Sequence, residues 1–174
     1  MKTLILGGVR SGKSRLAEQL AAGLHQPVTV IVTGQPLDEG MRLRIEQHRA
    51  ARPARWQVIE EPLALADTIA AHNDRNRCLV VDCLTLWLTN LLCSPSHVDN
   101  IRYFREQLLS AVRDTLQPLL LISNETGLGI MPDNDLARRY GDESGLLHQQ
   151  LAACCDTVIL TVAGLPLYIK GKPA

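Results

Sequence analysis

The chain has 174 residues, 46% of them hydrophobic and 21% charged, with equal numbers of acidic and basic side chains. That size and balance fit one globular domain able to bury a full core. A net charge of zero excludes a general electrostatic attraction to nucleic acid or to an anionic membrane, and 3% aromatic content argues against a base-stacking surface. No apolar run approaches the roughly 18 residues of a membrane span, and the apolar opening stops at Gly7, too short for the core of a secretory signal. Cys78, Cys83, Cys93, Cys154 and Cys155 form no C-x-x-C pair, the usage of reduced, mostly buried thiols in a cytoplasm. His25, His48, His72, His97 and His148 lack metal-ligand spacing, so no structural zinc is expected.

In chain order, Lys2 to Leu6 is expected to be a short buried strand and Arg15 to Leu24 an amphipathic helix. Between them lies Gly7-Gly8-Val9-Arg10-Ser11-Gly12-Lys13-Ser14, which fits G-x-x-x-x-G-K-[ST] in full. Strand, glycine loop and helix are the setting in which this pattern makes a phosphate site. The glycines let successive N–H groups point into one hollow, and the helix N-terminus adds its positive dipole end. Lys13 is then placed to reach the β- and γ-phosphates and the Ser14 hydroxyl to ligate Mg²⁺.

Val28 to Thr33 is β-branched and apolar, the composition of a buried parallel strand, and Gly34-Gln35-Pro36 breaks it. Asp38 to Ala51 follows as a charged helix ended by Arg52-Pro53. Trp56 to Glu60 is a short strand, and Pro62 suits the first turn of a helix to about Asn73. Cys78 to Asp82 is an apolar run closing on a carboxylate, Leu84 to Cys93 an unusually apolar segment, and Val98 to Leu116 a long amphipathic helix. Leu119 to Ser123 reads as a buried strand, followed by a glycine-punctuated loop from Asn124 to Pro132. Leu136 to Cys154 is mostly helical despite Gly141 and Gly145, Thr157 to Val162 is a strand, and Leu167 to Lys170 is a candidate last one. Strands alternating with helices give an α/β domain, a single one over 1–174, with a mainly parallel central sheet flanked by helices.

Three places besides the glycine loop hold chemistry. Asp82 ends an apolar strand, where a P-loop protein places its second magnesium carboxylate; the alternative is a cap for the next segment. In the helix before Pro53, Arg44 and His48 are four apart and share a face, with Arg49 and Arg52 on an adjacent one. Arginine forks suit phosphate oxygens, and a neutral histidine among them is a candidate nucleophile, set against a solvated basic face with an incidental histidine. Ser123-Asn124-Glu125-Thr126-Gly127-Leu128-Gly129-Ile130-Met131-Pro132 should open at the sheet's C-terminal edge, where such sheets bind ligands; a tight capping loop reads equally well. Asp133 and Asp135 are expected as first-turn carboxylates, Cys154-Cys155 as packing, and Trp56 and Trp87 as core or interface anchors.

Taken together these stretches resemble the bifunctional adenosylcobinamide kinase/adenosylcobinamide-phosphate guanylyltransferase family of cobalamin synthesis. The carriers are the loop at 7 to 14, Arg44-Ile45 with His48, Arg52-Pro53 and Trp56, and Asp82-Cys83-Leu84-Thr85 running to Thr89-Asn90-Leu91-Leu92. Ser123-Asn124-Glu125 with Gly127, Gly129-Ile130 and Pro132, and Ala163-Gly164-Leu165-Pro166, complete the set. The resemblance implies a P-loop NTPase fold, ATP- or GTP-dependent phosphorylation of adenosylcobinamide, and transfer of GMP from GTP through a guanylyl-histidine at His48, giving adenosylcobinamide-GDP. It also implies that Thr33, Gly34, Gln35, Arg49, Ala50, Ala51, Arg52, Glu61 and Asp82 line the nucleotide site, with Glu60 an alternative to Glu61. Mg²⁺, a homotrimer and a cytoplasmic location belong to the same implication. The chain departs from the family at His148-Gln149, where Asn-Gln is usual, and at Thr126, where Val is more frequent. A plain P-loop kinase of another small molecule and a nucleotide-dependent switch are the competing readings; the absence of N-K-x-D counts against a GTPase switch, and the Arg/His block against both.

Overall fold

The computed structural model describes residues 1–172, with the side chain of Ala51 outside the described residues. Seven strands, β1 (Lys2–Gly7), β2 (Val28–Val32), β3 (Gln57–Glu60), β4 (Cys78–Asp82), β5 (Leu119–Asn124), β6 (Thr157–Val162) and β7 (Leu165–Lys170), form one sheet in the order β3-β2-β4-β5-β1-β6-β7. Every neighbouring pair is parallel except β6 with β7. The last strand is a hairpin partner because Ala163 and Gly164 both take positive φ, the geometry of the tight primed turns that join antiparallel strands.

Six α-helices cover the sheet: α1 (Lys13–Gly23), α2 (Glu39–Ala51), α3 (Leu65–Ala71), α4 (Leu84–Cys93), α5 (Ile101–Asp114) and α6 (Asp135–Cys154). The inner strands β1, β2, β4, β5 and β6 are apolar on both faces because both faces are covered, whereas the edge strands β3 and β7 are largely exposed. Alternation then splits each strand between two cores. Leu4, Leu6, Leu79, Val81, Leu119 and Leu121 pack under α3, α4, α5 and α6, whereas Ile5, Val80, Leu120 and Ile122 pack under Ala17 and Ala21 of α1. Trp87 anchors the first core and donates its indole N–H to the Leu63 carbonyl at 2.9 Å; Trp56 closes the second.

The helix boundaries follow their caps. Asp38 accepts the Met41 N–H at 2.7 Å and starts α2 one residue later than the apolar pattern suggested. Pro62 does not open α3: the Glu61 carboxylate takes the Leu63 and Ala64 N–H groups at 2.9 and 2.8 Å, and the helix begins at Leu65. Asn134, rather than Asp133 or Asp135, caps α6 by accepting the Ala137 N–H at 2.8 Å; Asp135 lies in its first turn. Gly141 and Gly145 stay inside α6, where a side chain would meet open space. All five cysteines are free thiols, but only Cys78 and Cys155 are fully buried and Cys93 is exposed, so burial of thiols is less general than their count suggested.

Leu91 is fully buried at the centre of the larger core. Leu91→Ala is expected to lower unfolding free energy by about 3 kcal/mol, read as a lower urea midpoint with an unchanged slope, whereas Leu116→Ala, at a residue 59% exposed, should stay within about 0.5 kcal/mol of wild type.

Candidate active site

Gly7 ends β1 and the chain turns sharply into the loop that α1 receives. The Gly7 carbonyl accepts the Glu125 N–H at 2.9 Å, and the Ser11 carbonyl accepts the Gly164 N–H at 2.9 Å. Ser11 and Thr161 join their hydroxyls at 2.8 Å. Gly7, at φ +153°, leaves no room for a side chain: a Cβ there would lie 2.3 Å from Thr161 Oγ1 and 2.5 Å from Ser11 Oγ. Gly12, at φ +101°, faces the Gly164 backbone in the same way, with a Cβ 3.1 Å from Gly164 Cα.

The loop opens into a cavity of about 610 Å³ at the C-terminal edge of the parallel strands. Its walls bring together Val9, Arg10, Ser11, Gly12, Lys13 and Ser14 from the loop, Gly34 after β2, Arg44, His48, Arg49 and Arg52 from α2 and its end, and Asp82 from β4. His48 and Lys13, 35 residues apart in sequence, thus face one space. The Lys13 side chain is 7% exposed and donates to the Gly8 carbonyl at 2.6 Å. Burial holds its pKa below the ordinary lysine value, with Cys83 and Asp82 pulling the other way.

Other predicted residues sit behind the wall. Thr33 is fully buried, its hydroxyl donating to the Cys83 carbonyl at 2.6 Å and accepting the Cys83 N–H at 3.1 Å, so it ties the end of β2 to the end of β4. Asn90 donates to the Thr33 and Pro62 carbonyls at 2.8 and 3.0 Å and fixes the same corner. Gly7, Gly8, Gln35 and Ala50 are not among the lining residues, and the side chain of Ala51 lies outside the described residues. Of the two adjacent glutamates, Glu60 lines the cavity and pairs with Arg49 at 2.6 Å, while Glu61 is occupied at the start of α3.

Asp82 is held by Arg52 at 2.6 Å, with side chains 15% and 8% exposed. Ser14 and Asp82 offer a hydroxyl and a carboxylate, the oxygen donors magnesium takes when phosphates and water complete its shell; the residues present therefore fit that ion. Among the described residues no cluster of three or more histidine, cysteine, aspartate or glutamate side chains could hold a metal unaided.

Three residues in or beside the site were not read as part of it from the sequence: Met41 and Ile45, which line the cavity, and Glu18, which does not line it but feels the charges of Arg52, Asp82 and His48. Glu18 stands one turn after Ser14 on α1, and burial raises its carboxyl pKa, with Arg52 and His48 opposing and Asp82 adding to the shift. The signal was the i, i+4 spacing from Ser14. Met41 and Ile45, also four apart, are the apolar face that α2 turns to the cavity.

Residues 3–169 match a family described as cobinamide kinase / cobinamide phosphate guanyltransferase. The chain belongs to that family. It is 53% identical to the bifunctional adenosylcobalamin biosynthesis protein CobP of Pseudomonas aeruginosa over 99% of both chains. It is 37% identical to the bifunctional adenosylcobalamin biosynthesis protein CobU of Escherichia coli K12, over 98% of this chain and all of that one. Among solved structures, a KaiC-like protein from Pyrococcus horikoshii OT3 superposes with a TM-score of 0.50 at 18% identity, covering 91% of this chain and 69% of that one. The likeness is one of fold, and the fold is that of the P-loop NTPases. No helix among the described residues is long and apolar enough to cross a membrane.

Removing one member of a nearly buried ion pair leaves the other charge without a partner. Arg52→Ala is expected to cost about 2–3 kcal/mol of stability, and Arg52→Ala combined with Asp82→Ala less than the sum of the single changes, as a double-mutant cycle of denaturant unfolding would show.

Proposed function

We propose that the chain phosphorylates adenosylcobinamide, using ATP or GTP, and then transfers GMP from GTP to adenosylcobinamide-phosphate through a guanylyl-histidine at His48. The observation that carries this reading is the convergence of His48 and its arginines with the glycine loop on one cavity. A basic helix face with no ligand would have no reason to stand over the phosphate loop.

In the kinase half, the loop N–H groups and the Lys13 ammonium hold the triphosphate while the acceptor hydroxyl attacks the γ-phosphorus. The bond to the β–γ bridging oxygen breaks and the hydroxyl proton is released. Mg²⁺ at Ser14 and Asp82, when bound, neutralises phosphate charge. In the transferase half, an unprotonated imidazole nitrogen of His48 attacks the α-phosphorus and pyrophosphate leaves. A phosphate oxygen of the corrinoid then attacks the same phosphorus, and the P–N bond breaks to free the histidine. Dividing the displacement keeps two highly charged partners from meeting directly. Arg44, Arg49 and Arg52 supply forks for the oxygens on which charge gathers. Because α2 is largely exposed, with only Met41 and Ile45 half-buried among its described residues, its approach to bound GTP is a small rearrangement. A homotrimer and a cytoplasmic location accompany the reading.

The test compares GTP labelled at the α- or γ-phosphorus with the magnesium-loaded protein. Acid-labile, alkali-stable label on the protein is expected from the α-position only, lost in His48→Ala. Lys13→Ala should slow both halves by about a hundredfold or more. Transfer of γ-label to cobinamide with no α-label on the wild type would leave a plain kinase and overturn the transferase half.

A further inference from the structure

A line of polar side chains runs from α6 past the start of α4 to the end of β5. His148 Nε2 lies 2.8 Å from Ser123 Oγ, Ser123 Oγ lies 3.4 Å from Thr85 Oγ1, and Thr85 Oγ1 accepts the backbone N–H of Asn124 at 2.7 Å. Ser123 is 1% exposed. Asn124 lines the cavity, and its strand partner in β1 is Gly7, the first residue of the glycine loop. The chain of contacts therefore ends at the joint where β5 meets the phosphate site.

We propose that His148 is a positioning residue for the chemistry in the cavity: acting through Ser123 and Thr85, its imidazole sets the hydrogen bond that holds Asn124 against the glycine loop. Hydrogen counting gives the mechanism, since each hydroxyl donates once. With Nε2 unprotonated, Ser123 donates to the ring, Thr85 donates to Ser123, and Thr85 Oγ1 is left to accept the Asn124 N–H. Protonated Nε2 must donate to Ser123 instead. The Ser123 proton then turns on Thr85 Oγ1, which has to accept two donors at once, and the Thr85 proton is displaced toward the Tyr140 hydroxyl. That hydroxyl is buried beside Thr85 with no other hydrogen-bond partner among the described residues, and burial pushes its pKa up to about 12, so it stays neutral. The charged ring thus weakens the bond to Asn124.

Burial favours the neutral ring by lowering the His148 pKa, with the Glu125 carboxylate opposing. Glu125, from the loop after β5, is the charged group acting on the ring; Tyr140 on α6 and Cys83 ahead of α4 border the Thr85 end. Protonation of His148 should therefore occur below its ordinary value of 6.5, and the loosening of Asn124 with it.

This inference rests on the functional reading for its kinetic arm alone. In the full-length protein, nitrogen-15 NMR should find His148 with Nε2 unprotonated at neutral pH, and the Asn124 amide proton should shift with the ring as pH falls. The shift should vanish in His148→Gln and in Ser123→Ala. His148→Ala should lower kcat for GMP transfer about tenfold with KM for GTP within about twofold, whereas His148→Gln, whose amide oxygen accepts from Ser123, should recover most of the rate and lack the histidine-dependent step at the acid end of its pH profile. An Asn124 amide indifferent to the ring, full kcat in His148→Ala, or His148→Gln as slow as His148→Ala overturns the proposal. A wild type that binds GTP but transfers nothing overturns the functional reading instead, and the amide titration then decides the hydrogen-bond chain by itself.

Discussion

The structure depends on the close approach of backbone to backbone at Gly7. A side chain there would collide with Thr161 on β6 and with Ser11 of its own loop. The bare α-carbon lets Thr161 donate to the Leu6 carbonyl at 3.0 Å while meeting Ser11 on its other side. Thus β6 grips the loop from one flank, and β5 grips it from the other through Glu125 and the Gly7 carbonyl. The shape of the glycine loop is set by three strands in parallel register, not by its eight residues alone. This gives the turn at Ala163-Gly164, about 150 residues from the loop in the chain, a physical reason to be where it is. Its second residue has positive φ, donates its N–H to Ser11, and offers a surface with no side chain to Gly12.

Much of the fold was legible because strands buried on both faces leave continuous apolar runs, and β1, β2, β4, β5 and β6 announced themselves in that way. The direction of β7 was not, since it follows from a turn whose first residue is alanine, an unusual choice at positive φ. The start of α3 was misjudged for a similar reason: proline at a first turn is a strong general signal, but the Glu61 carboxylate satisfied the free N–H groups farther along. Propensity argues against glycine inside α6, yet each of those positions costs only about 1 kcal/mol, and Ser144, Leu147 and Leu151 bury the helix on either side.

For the site, the glycine loop stood out in the sequence because its pattern is local, although Gly7 and Gly8 do not line the cavity. The residues drawn from elsewhere were read as types before they could be read as places. Glu60 and Glu61 are neighbours, and at a strand end one step in the chain decides which of them looks into the cavity. Glu18 hid on the helix that the loop had already explained. His148 was seen only as a departure from the usual residue, because its partner Ser123 lies 25 residues earlier in the chain, on another element. Contacts of that kind are visible only when α6 and β5 are laid against each other.

The cavity also shows how a chain of zero net charge assembles a strongly cationic wall. Arg52 and Arg49 are each held by a carboxylate, Asp82 and Glu60, that belongs to a different strand from the helix bearing them. These pairs fasten the C-terminal half of α2, a helix with no fully buried side chain among its described residues, to the edge of the sheet. The Arg52–Asp82 pair also keeps a nearly buried guanidinium from standing unpaired, where a lone charge costs far more than a matched one, whereas Arg49 and Glu60 pair in contact with solvent. On the proposed function, a phosphate entering between them would exchange one anion for another at guanidinium groups already aimed into the cavity. The same four side chains would then serve both attachment of α2 and binding of the anion.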